Sequence, residues 1–267
     1  MKYRNAFQLI NQISFIDMKV TEDLAEFIGI LIGDGHIAKD GKEISIVENK
    51  LLDISHMKHT SNLIKRLFGI TPKIYLGKGY HSGAVRCKFY SKKVQEFLIK
   101  YFGFQRGNKM EYKLEIPKQF FSDKKLLAAC LRGIFDTDGG IYHHRRRDPM
   151  IEIDSYNVHL KHSIVSALKT LGFTVTFSGR RIYIYAKNEI SKFFEIVGSN
   201  NLRNNYKYQV WKTSGNMLKT KELVIDNIKI YEKISIESKN KMWVIFEPDE
   251  IFKKLNTDNY ISHAPIV

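Results

Sequence analysis

Two glycine-flanked aspartates at the ends of apolar segments are the residues of this 267-residue chain best suited to chemistry. Asp34 is the penultimate residue of the segment FIGILIGDG, and Asp138 is the penultimate residue of LRGIFDTDG, 104 residues later. A carboxylate at a helix C-terminus is unfavourable because the helix dipole already places partial negative charge there. Taken alone, either segment is also compatible with an ordinary helix stop at its glycine.

Small residues in the same segments indicate how the two acids would meet. Gly29 and Gly33 are four residues apart, as are Gly133 and Thr137, so each helix would present a stripe of small residues on one face. Two such stripes allow close helix packing, which would bring both C-terminal ends to one place. Two like charges there require a cation, and ligands that are all oxygen select a hard one such as Mg²⁺.

A duplication surrounds these segments. SHMKHTSNLIKRLFGIT, beginning at Ser55, aligns with VHLKHSIVSALKTLGFT, beginning at Val158. Periodicity and turn signals predict the order αββαββα in each copy, with Thr21 and Ser122 as N-caps of the first helices. The expected fold is α+β. The predicted divisions are an N-terminal extension (1–20), a first repeat (21–118), a second repeat (119–209) and a C-terminal extension of unassigned role (210–267).

Less can be predicted for the C-terminal extension. The segment KIYEKISIESKNKMWVIFEP suggests two strands, and PDEIFKKL suggests a helix that begins at Pro248.

Alternation along the second hairpin of each copy separates an apolar face from a polar one. In AVRCKFY the side chains of Val85, Cys87 and Phe89 share the apolar face, and in RIYIYA those of Ile182, Ile184 and Ala186 do so. The opposite faces are rich in basic and aromatic residues and poor in acids. An ordinary solvated sheet face is the alternative interpretation. The polar-face residues are Lys73, Tyr75, Arg86, Lys88 and Tyr90 in the first copy, and Thr174, Thr176, Arg181, Tyr183 and Tyr185 in the second.

The chain carries 43 Lys and Arg against 28 Asp and Glu, a net charge of +15. This balance favours a polyanionic partner, nucleic acid before membrane, although coding bias toward lysine would supply part of it. Cys87 and Cys130 have no metal-binding or redox spacing and are expected to be buried thiols. We predict no membrane span and no secretory signal, and therefore an intracellular protein, with the cytoplasm of a prokaryote or archaeon favoured over an organelle.

The two nonapeptides, each opening an αββαββα unit in a basic chain, resemble the LAGLIDADG homing endonucleases in their single-chain, two-motif form. The likeness covers residues 20 to 210. It implies motif helices packed at a pseudo-two-fold interface and two antiparallel sheets in the DNA major groove. It also implies that Asp34 and Asp138 bind divalent metal together with the backbone carbonyls of Gly33 and Thr137.

The family further places a basic residue near each scissile phosphate. The resemblance implies Lys109 for the first half and Lys207, with Arg203 as its alternative, for the second; solvated lysines are the competing interpretation. Two positions depart from the motif: Ile32 replaces its first aspartate, and Arg132 replaces a small residue. Further candidates to line the site are Glu48, Asn49 and Asp154.

From this resemblance we expect a monomeric, intron-encoded endonuclease that cuts both strands of a long asymmetric DNA target. Mg²⁺ is the expected cofactor, with Mn²⁺ as a substitute and Ca²⁺ supporting binding without cleavage. Arg86 and Lys88 would contact one half-site and Arg181 and Tyr183 the other. For the hairpin-tip residues Arg145, Arg146 and Arg147, contact with phosphate and contact with bases are both expected alternatives. The alternatives are an RNA-binding maturase, which would make intron RNA a partner, and a DNA-binding regulator.

Repeated histidines raise one further question. His56 with His59, and His159 with His162, have i, i+3 spacing, but two ligands do not complete a tetrahedral zinc site. We expect these histidines to lie near the phosphate backbone or in solvent. An intein is not expected, since the sequence has no nucleophile at its start and no His-Asn at its end.

Overall fold

The computed structural model describes residues 20–81, 83–144, 148–219 and 243–254. Within them the predicted order αββαββα occurs twice, and the fold class is α+β as predicted. The first copy comprises α1 (Glu22–Gly33), β1 (Gly35–Ile37), β2 (Glu43–Asn49), α2 (Ile54–Phe68), β3 (Lys73–Gly77), β4 (Ala84–Tyr90) and α3 (Lys92–Phe102). Short 3₁₀ turns lie at Gly79–His81, Lys109–Glu111 and Lys118–Ser122.

The second copy repeats this order with shorter strands in its second hairpin. It comprises α4 (Lys124–Asp138), β5 (Gly139–His143), β6 (Pro149–Asp154), α5 (Val158–Thr170), β7 (Thr176–Ser178), β8 (Arg181–Ile184) and α6 (Lys187–Ile196). Helix α7 (Leu202–Ser214), strand β9 (Trp243–Phe246) and helix α8 (Pro248–Lys254) follow. No helix in these described ranges has the length and apolarity needed to cross a bilayer.

Local signals account for most helix boundaries. Thr21 caps α1 as predicted, because its hydroxyl accepts the backbone N–H of Leu24 at 3.2 Å. The prediction of Ser122 as the cap of α4 is wrong by one residue. Asp123 is the N-cap, and its carboxylate accepts a hydrogen bond from the backbone N–H of Lys125 at 2.8 Å. Aspartate is favoured at this position because its negative charge also interacts well with the positive end of the helix dipole.

Each copy forms one antiparallel sheet. The first has the order β1-β2-β4-β3-β9 and the second β5-β6-β8-β7. The predicted apolar face is confirmed by the complete burial of Val85 and Cys87 in β4 and of Ile182 in β8. Ala186 is the exception: it is exposed because the strand ends at Ile184 and Ala186 is the N-cap of α6. Both cysteines are free and buried, as predicted.

The tail after residue 209 contributes to the first repeat. Helix α7 runs through residue 210, where the sequence placed the start of the extension. Strand β9 pairs antiparallel with β3, and the predicted helix at Pro248 is present as α8, with Phe252 buried. The other predicted strand, residues 1–19 of the predicted N-terminal extension (1–20) and the hairpin tip Arg145–Arg147 lie outside the described residues.

Helices α1 and α4 cross with their backbones in contact. A Cβ atom on Gly29 would overlap the carbonyl oxygen of Cys130 and lie 3.1 Å from Gly133 Cα. A Cβ on Gly133 would overlap Glu26 O and lie 2.7 Å from Ile30 N. Backbone atoms cannot move aside as a flexible side chain can, so both positions require glycine.

We predict that Gly29→Ala and Gly133→Ala each lower the free energy of unfolding by about 2 kcal/mol or more, because overpacking forces the two helices apart. Gly83→Ala is the matched control, since its added Cβ would meet nothing within 4 Å. It should change stability by less than about 1 kcal/mol. Urea unfolding of the three variants measures this, and equal losses in all three would contradict the assigned contact.

Candidate active site

The two acids lie at equivalent junctions between a helix and its following strand. Asp34 ends α1: its N–H donates to Ile30 O at 3.0 Å, and its carbonyl accepts from Val47 N of β2 at 3.2 Å. Asp138 is the last residue of α4, and Gly139 after it pairs with Ile153 of β6. The second strand of each copy therefore fixes the backbone at each acid.

The close crossing of α1 and α4 brings these two ends together. A Cβ on Gly33 would overlap the Thr137 hydroxyl and lie 3.2 Å from Asp138 Oδ2. The Thr137 hydroxyl donates within its own helix, to Gly133 O at 2.9 Å or Ile134 O at 3.0 Å. Thr137 can thus offer its backbone carbonyl to the site, since the last carbonyls of a helix have no amide donor within it.

The electrostatics of the pair are unfavourable without a cation. Burial and the neighbouring Asp138 carboxylate raise the pKa of Asp34 well above its ordinary value. Burial raises the pKa of Asp138 to about 6, with Lys109 opposing the rise and Asp154 adding to it. Both groups would be stabilised in their ionised form by a nearby positive charge.

Lys109 supplies such a charge. Its Nζ donates to Ile32 O at 2.9 Å and Leu31 O at 3.3 Å, and it also contacts Gly33 O. The ammonium therefore lies at the negative end of α1 and acts on both aspartates. Asn157 holds the turn that carries it, because its Nδ2 donates to Lys109 O at 3.0 Å.

The donor set at the two helix ends suits a hard divalent cation. It consists of two carboxylates and helix-terminal carbonyls, all oxygen. Over the described ranges, no group of three or more His, Cys, Asp or Glu side chains is arranged to hold a metal. Phosphate or water oxygens would therefore have to complete the coordination of an ion held by Asp34 and Asp138.

Arg203 and Lys207, the two candidates for the basic residue of the second half, both lie on α7. Arg203 Nη2 lies 3.5 Å from Gly139 O and 3.4 Å from Asp53 Oδ1, so Arg203 reaches the end of α4 much as Lys109 reaches the end of α1. Lys207 is buried with its Nζ 5.1 Å from the centre of the Tyr142 ring. Burial, with a contribution from Arg203, lowers the pKa of Lys207 to about 8.

The three other lining candidates have different environments. Glu48 is buried and pairs with His56 at 2.9 Å. Asn49 caps the following turn by accepting from Leu51 N at 2.9 Å. Asp154 lines the cavity beside Asp138 and pairs with Arg180 at 2.8 Å.

The expectation for the first histidine pair is wrong, since neither ring lies in open solvent. His56 is fully buried between Glu48 and Asp136, and His59 Nε2 lies 2.6 Å from Glu26 Oε1. Burial disfavours the imidazolium, but Glu48 and Asp136 raise the pKa of His56 to about 10. In the second copy His159 and His162 are exposed, as expected.

A polar network that the sequence analysis missed joins the two copies. Glu26 on α1 accepts from Arg132 at 2.9 Å and from Asn200 at 2.6 Å. Asp136 on α4 accepts from Asn200 N at 2.6 Å and from the Ser199 hydroxyl. Arg132, which replaces a small residue of the motif, therefore has its charge balanced by Glu26. Charged residues inside two otherwise apolar helices were the available signal.

The outward face of each sheet holds most of the expected DNA contacts. Arg86, Lys88 and Tyr90 lie on β4, Lys73 and Tyr75 on β3, Arg181 and Tyr183 on β8, and Thr176 on β7. Thr174 precedes β7, and Tyr185 follows β8 with its ring stacked on Tyr183 at 5.4 Å. Arg145, Arg146 and Arg147 cannot be placed, because they lie outside the described residues.

The expectation that these faces hold few acids is wrong. Glu43 pairs with Lys88 at 3.0 Å, Glu152 with Arg181 at 3.3 Å, and Glu247 with Lys73. Alternation in β2 and β6 predicts the first two positions, but the sequence analysis considered only the second hairpins.

Comparison with known proteins identifies the second copy. A family model described as a LAGLIDADG-like domain matches residues 125–208, which include Asp138 and all of α4 except its first residue, Lys124. The second copy is therefore a LAGLIDADG-like domain. The first copy carries a similar segment, Phe27–Gly35, on the helix that packs against α4.

A curated relative is the replication factor C small subunit of Methanocaldococcus jannaschii, 30% identical over 204 residues. The match covers 72% of this chain but only 10% of that protein, so the chain spans a tenth of its relative's length.

Solved LAGLIDADG structures have a partly similar chain trace. Full-length DUF199/WhiA from Thermatoga maritima has a TM-score of 0.47 at 13% identity, covering 95% of this chain and 96% of that one. The homing endonuclease I-WcaI bound to its DNA recognition sequence has a TM-score of 0.45 at 16% identity, covering 74% and 88%. I-SmaMI bound to uncleaved DNA target in the presence of calcium ions has a TM-score of 0.43 at 11% identity, covering 91% and 97%.

The polar network at helices α1 and α4 generates a pH prediction. Burial alone would raise the pKa of Glu26, but His59 and Arg132 lower it from 4.5 to about 2. A lowered carboxyl pKa stabilises the folded state above pH 4.5, and this contribution is lost as the pH falls toward 2. We expect Glu26 to account for about 3 kcal/mol of acid-dependent unfolding free energy.

Urea unfolding at pH values from 6 to 2 would measure this contribution. The gap in stability between wild type and Glu26→Gln should narrow as the pH falls, while Glu195→Gln, at an exposed position of α6, should follow wild type. A constant gap across this range would contradict the assigned pairing.

Proposed function

We propose that this chain is a site-specific homing endonuclease that makes a metal-dependent double-strand break in duplex DNA. The observation that carries the proposal is the meeting of Asp34 and Asp138 at the ends of two helices whose backbones touch. Burial raises the pKa of both carboxyls, so the pair is an unfavourable structural element unless cations are brought to it.

Asp34 and Asp138, with the carbonyls of Gly33 and Thr137, are the proposed ligands of Mg²⁺, for which Mn²⁺ would substitute. The ion, when bound, activates water toward the scissile phosphate and stabilises the attacking and leaving oxygens. Lys109 holds its ammonium beside the same aspartates and would contribute positive charge next to one phosphate. In the other half the proposed source of positive charge next to the phosphate is shared by two residues of α7. Arg203 reaches the end of α4, and Lys207 lies one turn farther along α7.

Recognition would come from the two sheet faces. Each would lie in the major groove, where every base pair presents a distinct pattern of donors and acceptors. Two half-sites of about one helical turn each give a target of roughly twenty base pairs. The faces differ in sequence, so the target would be asymmetric, and one chain carrying both halves would act as a monomer.

One observation favours a second activity, binding of intron RNA. The rings of Tyr183 and Tyr185 stack at 5.4 Å with 16° between their planes, and His144 lies 4.5 Å from Tyr185. Stacked aromatic side chains on a sheet are a common platform for unpaired bases. A maturase or a DNA-binding regulator would use this surface without cleavage, but neither needs two converged aspartates that repel phosphate.

We predict that Asp34→Asn and Asp138→Asn each abolish double-strand cleavage while DNA binding stays equal or tightens. The amide removes a metal ligand and also removes a charge that repels phosphate. Asp249→Asn, at an exposed position of α8, is the control and should cleave as wild type does. Cleavage selection from a randomised duplex library, followed by binding and cutting assays on the recovered target, provides the measurement.

We also predict that chelation of divalent ions stops cleavage and that Mg²⁺ or Mn²⁺ restores it. Ca²⁺ should support binding without cutting. Cleavage at the wild-type rate in excess chelator would reject the metal mechanism, and wild-type cutting by both asparagine variants would reject the site.

A further inference from the structure

Two acid–cation pairs occupy the outward faces that the proposed function assigns to DNA. Glu43 Oε2 lies 3.0 Å from Lys88 Nζ on the first sheet, and Glu152 Oε1 lies 3.3 Å from Arg181 Nε on the second. The Glu43 and Glu152 side chains are only 21% and 17% exposed. Each pair spans two adjacent strands of its sheet, β2 with β4 and β6 with β8.

Acidic side chains on such a face weaken binding to DNA, because DNA is a polyanion. Contacts of Lys and Arg with phosphate supply most of the sequence-independent affinity, and a nearby carboxylate weakens them by repulsion. A carboxylate can, however, fix the direction of the cation that it binds, which reduces the side-chain freedom lost when that cation meets a base. Discrimination between targets also improves when unwanted contacts are made unfavourable.

We propose that Glu43 and Glu152 are specificity-determining residues of the DNA interface. Each holds its cation over the floor of the major groove, where Lys88 and Arg181 would donate to the O6 and N7 acceptors of guanine. Each also keeps that cation from the phosphates. The inference rests on the proposed function, since it requires the sheets to face duplex DNA.

The register of the strands sets where each pair acts. Gly35 and Gly139, which follow the two aspartates, pair with Ile46 and Ile153. Glu43 lies three residues from Ile46, whereas Glu152 is next to Ile153. The difference of two residues corresponds to about 7 Å along a strand, or about two base pairs. The Glu43 pair should therefore act farther from the cut than the Glu152 pair.

The experiment compares three glutamine variants of the full chain on a target selected by the wild type. Glu43→Gln and Glu152→Gln remove one charge from the sheet faces. Glu96→Gln removes the same charge from α3, where Glu96 is 54% exposed and pairs with Lys92 at 3.8 Å. Binding is measured on every single-base variant of the target and on unrelated duplex, and thermal unfolding shows that each variant is folded.

We expect Glu43→Gln and Glu152→Gln to lose about fivefold or more of their discrimination at one to three adjacent positions, in opposite half-sites. Affinity for unrelated duplex should rise in both. If Glu152→Gln does not fold, Arg181→Lys should give the same local loss, because lysine cannot reproduce the guanidinium fork.

Two results would overturn the inference in different ways. A wild type that selects no duplex would remove the proposed function, and this inference with it. The other result is that the wild type has a defined target but the binding profiles of Glu43→Gln and Glu152→Gln match that of Glu96→Gln at every position. This result would overturn the inference and leave the proposed function intact.

Discussion

The contact between Gly29 on α1 and Gly133 on α4 is the constraint on which the rest of the structure depends. Because no side chain separates the helices there, their axes approach closely and their C-terminal ends must lie side by side. The strands that follow the two helix ends, β1 and β5, belong to two separate sheets. The crossing of α1 and α4 therefore also places the two sheets relative to each other. The distance between the two surfaces and the place of the acids are thus set by one backbone contact.

That contact creates an electrostatic cost that the surrounding residues offset. Two negative helix ends and two aspartates converge, and Lys109 lies across the end of α1 where the carbonyls point. Farther along the same helices Glu26 and Asp136 are buried and Arg132 is partly buried, but each has a partner of complementary charge or hydrogen-bonding capacity. Buried charges without such partners would cost several kcal/mol each, so the network also restricts how the two copies can pair.

Much of the fold follows from residues that act locally. The duplicated motif, the caps, the hairpin glycines and the alternation of β4 predict the element order and the faces of the sheets. The site was predictable as far as Asp34 and Asp138, because their helices carry matching small-residue stripes. Three features could not be predicted, because they depend on segments that are distant in sequence and meet only at the interface between the two copies. These features are the role of Arg203 relative to Lys207, the burial of His56 and the partners of Asp136. The acids on the sheet faces lay within reach of the same alternation rule but belong to strands with weaker patterning.

The fifth strand of the first sheet has a consequence for how the chain is made. Lys73 and its partner Glu247 are 174 residues apart, so the β3 edge stays unpaired until β9, which follows both copies in the sequence, has been synthesised. The second sheet, by contrast, is completed by strands that follow one another within a short span. During synthesis the β3 edge stays open while the rest of the protein folds, and an open edge is where strands of other chains can add. The first sheet is therefore completed after the second, and removing β9 would leave the β3 edge of the first sheet open to association with other chains.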